Sequence, residues 1–128
     1  MKFSLFDYTS ENGNNEIKEW TKGLQKTDRA KLNAKLDMLA LHGSELFPHV
    51  LTDTPTSGIQ KLRVKGKVQL RPMLCKGPID NEKEYTLLIG AMERDSKLVP
   101  DKADQIANER KQTIIKNFTR RCPHERIS

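Results

Sequence analysis

The segment 58–78, GIQKLRVKGKVQLRPMLCKGP, alternates apolar and polar residues over most of its length. Successive side chains of a β-strand face opposite sides, so such a run buries one set and wets the other only as strands. Leu62, Val64, Val68, Leu70 and Leu74 occupy even positions, while Lys61, Arg63, Lys65, Lys67, Gln69 and Arg71 occupy odd ones. Two strands, 59–64 and 67–75, joined around Lys65 and Gly66, form a β-hairpin. With a regular register its five odd-position cations share one face, with no carboxylate between them. Such a face repels itself unless something anionic covers it. Crowded cations also disfavour the ammonium form of a lysine, which makes Lys61 or Lys65 a candidate general base. Exposed hairpins carry lysine for a plainer reason too, to discourage edge pairing. Pro72 lacks a ladder donor and marks an edge or a bulge; a bulge between Gly66 and Arg71 would turn Arg71 to the other face.

Charge sets this segment apart. The chain has 23 Lys/Arg against 17 Asp/Glu, a net charge of +6. Residues 58–78 hold 6 Lys/Arg and no Asp/Glu, and residues 110–128 hold 6 and 1. Residues 1–57, with 7 and 8, and 79–109, with 4 and 8, are close to neutral or acidic. Two basic blocks imply a polyanion or an acidic partner. The second, with Arg120, Arg121 and Arg126, either extends that footprint or, over 119–128, is a flexible basic tail.

Several classes are excluded. A chain of 128 residues suits one domain. No run of about 18 apolar residues occurs and the N-terminus has no secretory pattern, so a cytoplasmic setting without membrane contact is expected. Cys75 and Cys122 are too few for a disulfide scaffold or a zinc site, and Cys75, beside cations, is either a passive or a reactive thiol. His42, His49 and Asp53 fit no metal spacing, and neither metal nor cofactor is expected. Aromatic residues make up 5% of the chain, which argues against binding by stacked bases. Trp20 and Phe118 read as core. No Gly-rich phosphate loop, serine nucleophile elbow or paired-carboxylate motif occurs.

Periodicity supplies the remaining elements. Phe3, Leu5 and Phe6 suggest a first strand, then ENGNN breaks the chain. A helix starts near Asn15 with Glu16 and Glu19 in its first turn and Ile17, Trp20 and Leu24 inward. Thr27 or Asp28 can cap a second, with Leu32, Leu36 and Leu39 as its stripe and Gly43 at its end. Residues 44–57 lack periodicity and read as a surface loop. Residues 85–92 are nearly all apolar, as in a central strand buried on both faces. Pro100 opens a last helix carrying Ala103, Ile106, Ala107, Arg110, Ile114 and Phe118. The order β, α, α, β, β, β, α, with helices segregated from an antiparallel sheet, is α+β.

The run GIQKLRVKGKVQLRPM, then YTLLIGAMERD, then Pro100 and a helix with Ala107 and Arg110, resembles the RelE/HigB toxin superfamily, particularly its phage-derived HigB-like branch. The helical pair from EIKEW through RAKLNAKLDMLALHG is similar to that branch, so the likeness covers residues 3–118. It implies a RelE-like α+β toxin of a type II toxin-antitoxin system that cleaves messenger RNA at the ribosome without a metal. Its partners would be the ribosome, messenger RNA and a small helix-turn-helix antitoxin. Lys61 and Arg63 match the K-L-R strand, Arg71 the arginine after the hairpin glycine, and Arg94 a basic residue after the LLIGAMER strand. In those roles Arg71 and Arg94 stabilise the phosphate, Lys61 orients or activates and Arg63 positions the backbone. Lys65, Lys67 and Lys97 would add RNA contacts. Arg71 lies five residues after Gly66, whereas the family more often has its arginine closer, where Lys67 or Val68 stands. The family's aromatic after the strand is Ala91 or Met92 here, and the tyrosine region of some relatives offers only Leu98 and Val99. His124 is a further candidate acid or base. A ParE-like gyrase inhibitor or a phage regulator, docking its basic face on an acidic partner without catalysis, is the alternative.

Overall fold

A computed structural model describes residues 2–128. Strand β1 (Ser4–Tyr8) leads to helices α1 (Glu16–Lys22) and α2 (Lys26–His42), a 3-10 turn (Gly43–Leu46) and strands β2 (Leu51–Asp53), β3 (Gln60–Leu62), β4 (Gln69–Leu70) and β5 (Met73–Lys76). Strands β6 (Glu84–Ile89), β7 (Met92–Arg94) and β8 (Lys97–Val99), helix α3 (Ala103–Lys116) and strand β9 (Arg121–Pro123) follow. The fold is α+β, but its main sheet is mixed. Its order is β2-β3-β5-β6-β1-β9, and β1 runs parallel to β6.

The helices lie on both faces of this sheet. Ile17, Leu32, Leu36 and Leu39 pack with Leu62, Val64, Leu70, Leu74, Tyr85 and Leu87 on one side. Ala103, Ala107 and Ile114 of α3 pack with Ile59, Met73, Cys75, Leu88 and Ile89 on the other. Two alanines on its inner face let α3 approach the strands closely. All six residues of β6 are therefore buried, as its apolar run predicts. Asn15 caps α1, its Oδ1 accepting from Lys18 N at 3.0 Å. Helix α2 begins earlier than expected, with Gln25 at its N-cap and no side-chain bond there.

The hairpin forms with its turn displaced. Gln60 faces Leu74, Lys61 faces Met73 and Val64 faces Leu70, so the turn comprises residues 65–69 and centres on Lys67. Pro72 is neither at an edge nor in a bulge: its carbonyl accepts from Leu62 N at 2.9 Å, and only the return bond is missing. Beyond Pro72 and Gly90 the β5–β6 ladder continues as β4 against β7, with Gln69 facing Glu93 and Leu70 facing Met92. The β4-β7-β8 sheet is thus the bent end of the same ladder. A register shift at Met73/Leu74 places Leu88 and Ile89 on the same side of β6, so every later side chain of that strand changes face.

Other departures follow from long-range contacts. The expected loop at 44–57 contains the 3-10 turn and β2, which pairs with β3. The expected flexible tail supplies edge strand β9, paired antiparallel to β1. Arg121 ion-pairs with Glu84, and Arg126 with Asp37 at 2.8 Å. Asp7, buried beneath β9, binds His124 Nδ1 at 2.9 Å and accepts from Asn15 Nδ2 at 3.0 Å. Phe118 lies past the end of α3 and is 69% exposed.

Gly90 marks where α1 crosses the ladder. A Cβ there would collide with the Trp20 indole. Gly90→Ala is expected to destabilise the fold by about 1–3 kcal/mol, read as a lowered urea midpoint with an unchanged slope.

Candidate functional site

Strand pairing decides which of the predicted residues meet. Lys61 stands beside Thr52 of β2 in register, and Arg63 is bonded through its N–H to Val50 O at 2.8 Å. Across the hairpin the pairing places Arg63 opposite Arg71, on the face that carries Ile59 and Met73. Helix α3 covers that face at Met73 but leaves Lys61, Arg63 and Arg71 around a cleft of about 260 Å³, which Thr52, Asp53 and Glu93 complete.

The cleft is not a bare cationic surface. Arg71 is 4% exposed. Its Nη1 donates to Leu70 O at 2.8 Å, its Nη2 donates to Gln69 Oε1 at 3.3 Å and lies 3.9 Å from Glu93 Oε2. Burial lowers the pKa of this guanidinium from its ordinary value; Glu93 opposes that effect and Arg63 reinforces it. The absence of carboxylates held only within segment 58–78. Pairing brings Glu93 from β7 onto the same face, while Asp53, opposite Gln60 in the register, reaches the cleft from the β2 edge. The Glu93 side chain is 35% exposed, and Asp53 accepts from Gln60 Nε2 at 3.3 Å. Thr52 Oγ1 is buried without a hydrogen-bond partner. Lys61 and Arg63 are half-buried and free of ion pairs among the described residues, so they remain available to an anion.

Arg94 and Lys67 are elsewhere. The extra residue at Leu88/Ile89 turns Glu93 toward Arg71 and Arg94 away, and Arg94 lines a different cleft with Lys67, against the α1–α2 turn. Lys97 pairs with Arg94 in the β7–β8 hairpin, and Lys65 is exposed on the 65–69 turn. The five-cation face therefore reduces to Lys61, Arg63 and an enclosed Arg71. Thr52 and Glu93 escaped the sequence reading, and Asp53 entered it only as a rejected metal ligand. For Glu93 the available signal was its alternation with Ala91, but its face depends on the bulge.

His42 lies 3.5 Å from Glu45, and His49 is exposed. Among the described residues no cluster of three or more His, Cys, Asp or Glu could hold a metal ion, and no helix is long and apolar enough to cross a membrane. Cys75 is buried under α3, and burial pushes its thiol up to about 12. It is a packing residue, not a nucleophile. Compared with known proteins, the chain matches no family model, no curated protein and no solved structure.

Arg71→Ala is expected to cost about 2–3 kcal/mol, because it strips a packed side chain and frees buried acceptors. Lys61→Ala and Arg63→Ala should each stay within about 1 kcal/mol; urea denaturation of the three variants checks the contrast. Cys75 supplies a pH test. Its folded value exceeds the ordinary 9.0, so its contribution is complete below pH 9 and is lost as pH rises toward 12. Between pH 8 and 10.5 the wild type should lose about 2 kcal/mol more stability than Cys75→Ala, measured by denaturation at each pH.

Proposed function

We propose that this protein is a cytoplasmic, metal-independent endoribonuclease of the RelE/HigB toxin type, acting on messenger RNA at the ribosome and held in check by a small antitoxin. The observation that carries this reading is the cleft where Lys61, Arg63 and Arg71 converge with Glu93. It combines phosphate donors with a carboxylate that can accept a proton. The likeness of the K-L-R strand and the helical pair to that family supports it, and a RelE-like arrangement of the α+β elements belongs to the same proposal.

In this reading Lys61 and Arg63 hold the scissile phosphate, and Arg71 acts as a positioning residue that fixes Glu93. Glu93 takes the proton of the ribose 2′-hydroxyl as the 2′-oxygen attacks phosphorus. The bond to the 5′-oxygen breaks, that oxygen takes a proton from Lys61, and a 2′,3′-cyclic phosphate remains. Arg71 and Arg94 no longer share the phosphate, because they face opposite sides of the ladder.

A non-catalytic docking protein, ParE-like or regulatory, is the second reading. The enclosure of Arg71 favours it, since a guanidinium committed to Leu70, Gln69 and Glu93 adds little to a transition state.

Expression in cells with mapping of messenger RNA ends separates the two. Wild type should arrest growth and cut transcripts, while Glu93→Gln and the Lys61→Ala/Arg63→Ala pair should lower cleavage about 100-fold or more. Growth arrest with intact transcripts would sink the nuclease reading and leave the docking one.

A further inference from the structure

The largest cleft among those described lies on the opposite side of the hairpin, between the α1–α2 turn and strand β7. It measures about 660 Å³, within the range of small-molecule sites. Its apolar lining is Leu24, Val68 and Met92, each partly buried against the core. Three cations surround it: Lys31 from α2, Lys67 from the hairpin turn and Arg94 from the end of β7. Lys31 leans over the turn, its Nζ lying 3.0 Å from where a Cβ on Gly66 would sit.

One further lining residue contradicts a simple anion trap. Asp28, in the first turn of α2, is only 6% exposed, yet among the described residues it makes no hydrogen bond and no ion pair. Nor does the nearby N-cap use a side chain. An ionised carboxylate presents acceptors only, and this one lines the cleft, so it is open to donors on whatever fills it. The cleft thus asks for a ligand with two unlike ends: adjacent N–H donors for Asp28, and negative charge for the lysines and the arginine. A guanidinium or amine would satisfy Asp28 but is repelled by three cations. A neutral heterocycle with paired donors, carrying a phosphate, satisfies both.

We propose that this cleft binds a guanosine 5′-monophosphate unit, free or within RNA. The N1–H and 2-amino group of guanine donate to the Asp28 carboxylate, Leu24, Val68 and Met92 contact the base, and Lys31, Lys67 and Arg94 hold the phosphate. Adenine is rejected, because its N1 is an acceptor and would oppose the carboxylate lone pairs. The site shares no residue with the Lys61 cleft and does not depend on the cleavage reading.

Isothermal titration of the intact chain with 5′-GMP, 5′-IMP and 5′-AMP at low salt tests it. GMP should bind at least about tenfold more tightly than AMP, with IMP, which lacks the 2-amino group, between them. Equal affinities, or no binding at millimolar nucleotide, would overturn the proposal. Asp28→Asn adds a test of sign. Removing an anion strengthens purely electrostatic binding of GMP, whereas losing the guanine acceptor weakens it about tenfold and abolishes the preference over AMP. Tighter GMP binding by this variant would therefore refute guanine recognition. Lys67→Ala/Arg94→Ala should weaken GMP and AMP alike. Titrating UUGUU and UUAUU distinguishes the sources: a guanine-dependent oligonucleotide affinity well above that of GMP assigns the unit to RNA, and an equal or lower one to the free nucleotide.

Discussion

Strand β6 is the constraint on which the rest of the molecule depends. A strand buried on both faces needs a cover on each, which α1 and α2 provide on one side and α3 on the other. It also needs a backbone partner at each edge, which β5 and β1 provide. Its one irregularity, the shift opposite Met73, exchanges the faces of everything downstream. Met92 thereby joins the core beside α1 and α2, and Glu93 reaches Arg71. A single extra residue thus puts Arg94 in a different cleft from Lys61, Arg63 and Arg71.

The sequence was most informative where contacts are local or periodic. Alternation in 58–78 identified the paired strands and the odd-face grouping of Lys61, Arg63 and Arg71. The i, i+4 and i+7 spacing of Leu32, Leu36 and Leu39 identified the inner stripe of α2, and the run at 85–92 identified the central strand. Features settled by partners distant in the chain were not legible. Nothing near Leu51 announces that it faces Leu62, nothing near Arg121 announces Glu84, and no local pattern places the bulge at Leu88/Ile89 rather than in the hairpin. Of the two residues most dependent on register, Arg94 lines the other cleft and Glu93 was missed.

Arg71 illustrates how a charge changes meaning with burial. In sequence it is one more cation on a basic strand. In the fold it bridges Leu70 O, Gln69 and Glu93, so it ties the bent end of the ladder together and steadies the carboxylate beside Lys61 and Arg63. Electrostatic reach toward a ligand then falls to the two half-buried cations, Lys61 and Arg63, and acid-base chemistry to the residue Arg71 holds.

Strand β1 carries a kinetic consequence. Its partners are Glu84, 80 residues after Ser4, on one edge, and Arg121, 113 residues after Tyr8, on the other. Both pairings close long loops, whose entropy is lost before any ladder bond repays it. The two helices and the β3–β5 hairpin can form from neighbours in the chain, whereas β1 stays unpaired at both edges until β6 has been made and at one edge until β9 has been made. The order of assembly is therefore written into the sheet: hairpin and helices early, β1 against β6 next, and β9 last, sealing Asp7 from water.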